Sequence, residues 1–513
     1  MKQRRFVTAA LLATLFSGSA IAQGNYIASE IPAPEWPNNI RLADVDGDGL
    51  IDLIVPHWAA GVGRQLLIFQ QQADHRFPAQ PSRIVDIRPE IVAVTFADVR
   101  PEPGVELLLF TGNSVFSLST AQATYAGNIR HLFDWPFLAS VPERRITYFL
   151  PEPRDLTGNG FVDLLLPGTD GYGYFSATDH ESFELIRQIR TENTDIDPSR
   201  LPPAAGRFST EVSFNEQDGL VVRVIPRSAS DFQDFVVDAK ANASQTLLET
   251  ERWLPPAVLS DMTARDAADI VFLNVGNDLF GQINIVSRDR VGEADSPVTW
   301  QGPVVMEGDI QLLELNGDGL TDIVRIVERG ENWDVFLYLN QGGHFDLQQP
   351  SQVMRFSGYD LRISTSDLLQ NGQRQLSVTY YTIPLVNAIR NASIVRTQLL
   401  YGPGSNGLVF NNRPDFRQDD SFSASSIRGL TSPIQLHSDI NGDGRIDALY
   451  LTEEGTLAAR NISDNLQFSA EPFWQYVPGR TILDFEVHDI NSDQVPDILL
   501  FHSNTITALI SQP

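Results

Sequence analysis

Aspartate, asparagine and glycine recur along this chain in one fixed arrangement, suited to holding a hard cation. Asp44, Asp46, Asp48 and Asp52 occupy positions 1, 3, 5 and 9 of a loop that runs into Leu53-Ile54-Val55. The spacing returns at Asp155, Thr157, Asn159 and Asp163, and again at Glu314, Asn316, Asp318 and Asp322. It returns twice more, at Asp439, Asn441, Asp443 and Asp447 and at Asp489, Asn491, Asp493 and Asp497. Oxygen-bearing side chains at those positions can surround one ion, and position 7 (Leu50, Phe161, Leu320, Arg445, Val495) can add only its backbone carbonyl. Glycine at position 6 permits the tight bend. The donor set points to calcium, at about five sites with affinities on the order of 10⁻⁴–10⁻³ M, acting as a structural pin.

Two other readings compete for the same residues. An EF-hand needs a bidentate Glu at position 12 inside a helix. Here position 12 is Val55, Leu166, Arg325, Tyr450 and Leu500, all in strand-like runs, which excludes it. Asx-type turns need no metal at all. Against them, convergent carboxylates with no basic neighbour would repel one another if left empty. Glu314 brings a longer arm to position 1, and Gln494 at position 6 demands a positive φ from a residue with a side chain.

The elements that position these loops follow from alignment on position 1. Three further units appear with decayed ligands: Asp98 with Arg100, Glu102 and Glu106; Asp261 with Thr263, Arg265 and Asp269; Asp367 with Leu369, Asn371 and Gln375. Loop starts at 44, 98, 155, 261, 314, 367, 439 and 489 are separated by 54, 57, 106, 53, 53, 72 and 50 residues. A period near fifty residues with strand-like content marks a propeller or array. Within each unit a strand precedes the loop and a continuous apolar strand follows, such as Leu107-Leu108-Leu109-Phe110. Such a strand belongs between packed sheets. A third strand and a more polar fourth complete a blade.

These features predict an all-β protein, a single β-propeller over 23–513 with about eight four-stranded blades, seven or nine being left open. The 106-residue gap is about twice the period, so 193–254 is read as an insertion or a loopless blade. Tyr401–Arg417 reads as an extended polar loop. Only two strands follow Asp489, whereas Tyr26–Ile31 precede the first loop. The N-terminal strand is therefore expected to complete the last blade and close the ring.

At its loops the chain resembles the FG-GAP repeat family, also called VCBS-type repeats. The matching stretches are Asp44–Leu53, Asp155–Leu164, Leu315–Ile323, Asp439–Asp447 and Asp489–Ile498. The resemblance implies the propeller of integrin α subunits and of many bacterial secreted proteins, with calcium held between two strands of a blade. It leaves activity open, because that family includes adhesion modules, lectin-like binders and a few polysaccharide lyases.

Lys2, Arg4 and Arg5, the apolar run Phe6 to Phe16 and Ala20-Ile21-Ala22 read as a signal peptide over 1–22. Export to the periplasm or beyond the cell is expected, with no membrane span after removal of that segment. The chain has no Cys, so disulfides are excluded. Loss of three positive charges takes the formal charge from −28 to −31, which argues against nucleic acid as a partner. No nucleophile elbow, phosphate loop or His cluster stands out. His437 and His488 end pre-loop strands, and His57-Trp58 could line a surface. The leading expectation is a non-catalytic binding or scaffold module for a protein or glycan ligand. Its alternatives are a polysaccharide lyase-like enzyme on the same propeller, or a structural subunit of an envelope or surface assembly.

Overall fold

Runs of residues buried on both faces set the architecture. The computed structural model describes residues 26–33, 39–120, 128–137, 145–168, 171–190, 208–215, 219–226, 235–238, 257–262, 269–275, 281–286, 298–299, 309–342, 345–382, 393–423, 434–452 and 454–512. The expected signal peptide, 1–22, lies outside them. Among the described residues every regular element is a β-strand, and the strands form nine antiparallel sheets, seven of four strands and two of three. In chain order the first eight span 41–87, 93–134, 163–190, 208–238, 257–299, 309–357, 359–423 and 435–476. The ninth joins Asp484–His488, Asp497–Phe501 and Thr505–Ser511 to Tyr26–Pro32 from the other end of the chain.

Eight loops lead to an expectation of eight units, and the structure has one sheet more. The fourth sheet, Phe208–Asn215, Gly219–Pro226 and Phe235–Asp238, lies inside 193–254. It carries no acidic loop, in keeping with the loopless-blade alternative for that stretch.

Strand by strand, the apolar runs divide between two neighbours. Leu53 and Val55 pack with Ile31, Leu499 and Ile506 of the ninth sheet. Ile54, one residue out of phase, packs with Val94 and Leu107 of the second. Alternation of side chains across a strand gives this result when both faces are covered. The second sheet meets the third through Phe110, Trp135, Leu166 and Phe175. The fifth meets the sixth through Val271 and Ile323, the sixth the seventh through Val335 and Val378, and the seventh the eighth through Leu400 and Ala448. Leu449 and Leu500 join the eighth to the ninth. These contacts join sheets that are neighbours in chain order, and the last sheet packs on the first.

The spare strand sits where it was expected. Tyr26–Pro32 pairs antiparallel with Thr505–Ser511, Tyr26 opposite Ser511 and Pro32 opposite Thr505. Ile31 is fully buried there, and the Tyr26 hydroxyl donates to the Pro496 carbonyl at 3.1 Å. The third sheet departs from the pattern. The segment just before Asp155 meets it at Arg154, whose carbonyl accepts from Asp163 N at 2.9 Å, and farther back it lies parallel to the second sheet: Val94 N donates to Tyr148 O and Leu150 N to Val94 O, each at 2.8 Å.

The 401–417 segment is anchored, not loose. Gln352 makes two bonds to the backbone of Phe410, Nε2 to O and N to Oε1, both 2.9 Å, and Phe410 is fully buried in the core between the sixth and seventh sheets. Phe410→Ala should cost about 3–4 kcal/mol in denaturant unfolding. A loss under about 1 kcal/mol would mean that the segment is no part of that core.

Candidate metal centre

Each acidic loop folds around its first carboxylate. In the first loop Asp44 Oδ1 accepts from Gly47 N at 2.7 Å and Oδ2 from Gly49 N at 3.0 Å. Asp46 and Asp48 accept from the backbone two residues on, Asp48 N at 3.3 Å and Leu50 N at 2.9 Å. Gly47 and Gly49 have φ of 75° and 87°. Asp155 and Asp439 repeat the pattern with Gly158 and Gly160, and with Gly442 and Gly444. Asp367, in a loop with decayed ligands, still accepts from Gly372 N at 2.7 Å. These Asx turns hold the loop shape whether or not an ion is bound.

Oxygens of Asp44, Asp46 and Asp48 lie within 4.8 Å of one another. Burial, followed by repulsion from Asp48, pushes the Asp46 carboxyl above its ordinary range. At Asp155 burial acts in the same direction, but bonds from Gly160, Gly158 and Asn159 outweigh it and the carboxyl sits low.

Position 9 does something that reading it as an ion ligand misses. In all eight loops its side-chain oxygen accepts the backbone N–H seven residues earlier, at position 2. Asp52 takes Val45 N, Glu106 Val99 N, Asp163 Leu156 N and Asp269 Met262 N. Asp322 takes Leu315 N, Gln375 Leu368 N, Asp447 Ile440 N and Asp497 Ile490 N. None of the eight is more than 2% exposed. The second oxygen ties the loop to the end of the third strand in three cases: Gln71 N to Asp52 at 2.9 Å, Asn340 N to Asp322 at 2.7 Å and Ser511 N to Asp497 at 2.6 Å. Asp163 Oδ1 and Asp447 Oδ1 are buried with no hydrogen-bond partner. A signal was there in the sequence: Glu106 and Gln375 keep an acceptor at position 9 in loops whose other ligands have gone.

Burial pushes Asp52, Asp322, Asp447 and Glu106 up to about 7. Glu106 is informative because its loop is not a cation candidate. Its raised value means that its stabilisation is complete below about pH 4.5, where the unfolded chain also holds the proton, and is lost as pH rises through about 7. Glu106→Gln keeps the acceptor, as Gln375 does, and cannot ionise. The variant should gain melting temperature over the parent at pH 8 and little at pH 5; equal shifts at both would contradict a neutral Glu106.

The decayed loops have other means of support. Arg100, at position 3 after Asp98, is 1% exposed and makes five hydrogen bonds to Ser117 and Asn128. Thr263 and Arg265 lie outside the described residues. At Glu314 the expectation of no basic neighbour fails, because Arg374 Nε pairs with Glu314 Oε2. Gln494 adopts φ 66° and Ser492 φ 59°, the left-handed conformation that costs a side chain about 1–2 kcal/mol. Gln494→Gly should therefore stabilise by about 1 kcal/mol, read as a raised melting temperature; a lowered one would assign the Gln494 side chain a compensating contact.

Neighbouring loops also bind one another. Val105 N donates to Asp44 O at 2.9 Å, Thr321 N to Asp261 O at 2.7 Å and Ile446 N to Leu368 O at 3.1 Å. A Cβ on Gly47 would stand 2.4 Å from Pro103 Cβ, so this close approach requires glycine. The five acidic loops thus occupy equivalent places in separate sheets, one ligand set per sheet. His488 Nε2 lies 3.0 Å from Glu486 Oε2, burial lowers the His437 pKa, and the Arg145 guanidinium sits 4.7 Å over the half-buried Trp58 ring.

No family model and no curated protein matches the chain. Among solved structures, one match is described as an Agrocybe aegerita lectin with specific recognition of non-reducing terminal N-acetylglucosamine. It is 15% identical, with 66% of this chain and 81% of that chain covered and a TM-score of 0.23. Similarity at that level carries neither fold nor function to this chain.

Proposed function

We propose that this chain is an exported, calcium-stabilised β-propeller of the FG-GAP/VCBS type, serving as a non-catalytic binding or scaffold module for a protein or glycan ligand. One observation carries the reading: the repeated position-9 bond. Strongly perturbed carboxylates are where acid–base chemistry is ordinarily sought. Here Asp52, Asp322 and Asp447 each give an oxygen to a backbone N–H and hold a hairpin. In this reading the nine sheets are blades of one ring, closed by Tyr26–Pro32.

Calcium would be held by Asp44, Asp46, Asp48, the Leu50 carbonyl and Asp52, and by the matching positions of the loops at Asp155, Asp439 and Asp489. Support comes from the all-oxygen donor set and from the buried, partnerless Asp163 Oδ1 and Asp447 Oδ1. When bound, the ion supplies positive charge and pins the hairpin. The chain's own residues shape the loop, orient the carboxylates and exclude water from position 9.

Millimolar calcium should raise the melting temperature by several degrees, reversibly with chelator, and a panel of defined oligosaccharides should show calcium-dependent retention without turnover. No thermal response would remove the calcium reading. Unsaturated products from a uronate-containing polysaccharide would replace the binding module with a lyase.

A further inference from the structure

The loop at Glu314 differs from its sister loops in two ways that belong together. It alone among the eight has Glu at position 1, and the next loop alone has Arg at position 8, where the others have Ile51, Val105, Val162, Ala268, Thr321, Ile446 and Pro496. The structure joins these two exceptions. Arg374 Nε pairs with Glu314 Oε2, the Glu314 side chain being 15% exposed. Glu314 Oε1 meanwhile accepts from Asn316 N and Gly317 N; the second is a bond that Asp44, Asp155 and Asp439 also make at position 1, whereas their second oxygen takes the position-6 N–H.

Every other carboxylate oxygen of the loop is also engaged. Asp318 Oδ1 accepts from Leu320 N at 2.8 Å and Oδ2 from Asn316 Nδ2 at 2.9 Å. Asp322 spends both oxygens on Leu315 N and Asn340 N. Asp52 and Asp497 spend both oxygens in the same way, whereas Asp447 and Asp163 each keep a buried oxygen without a hydrogen-bond partner, so it is the Arg374 pairing that sets this loop apart. The backbones lie too close for rearrangement to be simple: a Cβ on Gly317 would stand 2.2 Å from Gly372 O.

We propose that the Glu314 loop takes no divalent cation, because Arg374 from the following repeat supplies its positive charge. The longer Glu arm reaches outward to the guanidinium while still receiving the loop's own N–H groups. Position 1 is thereby neutralised from a neighbouring sheet, which turns an ion site into a bridge between the sixth and seventh sheets. The claim deepens the calcium reading of the sister loops, but its stability arm stands without it.

The test combines metal counting on the full chain with melting in chelator. Calcium per chain is measured by native mass spectrometry and equilibrium dialysis for the parent, Glu314→Gln and, as a sensitivity control, Asp443→Asn. The control should lose one ion, while Glu314→Gln should retain the parent's count. In EGTA, Arg374→Gln and Glu314→Gln should each melt several degrees lower, and the double variant no lower than either, the non-additivity of a direct pair. Loss of an ion in Glu314→Gln would overturn the proposal, as would additive effects of the two substitutions in EGTA. If the parent binds no calcium, the reading of the sister loops falls, and the EGTA cycle alone decides the role of Arg374.

Discussion

Deletion of residues 26–32 is expected to abolish a single cooperative unfolding transition. The strand contributes a seven-residue antiparallel pairing to the ninth sheet and a fully buried Ile31 to the core shared by the ninth and first sheets. Its removal exposes the Thr505–Ser511 edge, an open template for pairing with other chains. The loss should exceed about 5 kcal/mol, comparable with the whole stability of many domains. Size-exclusion chromatography with thermal melting reads it as aggregation or a broad, early transition. A monomeric deletion variant melting within a few degrees of the parent would show that the ninth sheet holds without the strand.

Asp497→Ala should be the most damaging single substitution in the loops. Asp497 accepts from Ile490 N at 2.6 Å, Asn491 N at 3.2 Å and Ser511 N at 2.6 Å, and it is fully buried. Three backbone donors lose their acceptor together, and each one stranded away from water costs on the order of 1–3 kcal/mol. A loss of about 3–5 kcal/mol is expected in chelator, where no ion contributes. Asp497→Asn keeps one carbonyl oxygen and should lose less. If Asp497→Ala cost under about 1 kcal/mol without metal, the position-9 bond would not be what holds the loop.

Much of the architecture was legible because burial on both faces leaves an unmistakable mark. Leu53-Ile54-Val55 and Ile498-Leu499-Leu500-Phe501 could be placed between sheets from their apolar continuity alone, and the structure places them there. The positive φ of Gln494 followed from its position in the loop pattern. The partner of Tyr26–Pro32 followed from counting strands at the two ends.

What stayed hidden depends on contacts between residues far apart in the chain. The parallel pairing of Val94 with the segment around Phe149 leaves no local pattern. Arg374 meets Glu314 across sixty positions, so a loop that seemed free of basic neighbours has one. The fourth sheet has no acidic loop to anchor alignment, so 193–254 could be read only as an insertion or a loopless blade, and the structure places a sheet there. The backbone bond at position 9 stayed out of sight for a different reason: an acid that receives backbone N–H groups and an acid that ligates an ion look the same as letters.

That shared bond bears on how such chains diverge. Because Glu106 and Gln375 do for their hairpins what Asp447 does for its own, a repeat can drift away from the acidic consensus without its hairpin unravelling. A copy can thus persist as architecture once its acidic pattern is gone. A search keyed to a hydrogen-bond acceptor seven residues beyond an apolar amide, and not to the aspartates, should uncover such silent copies in other chains.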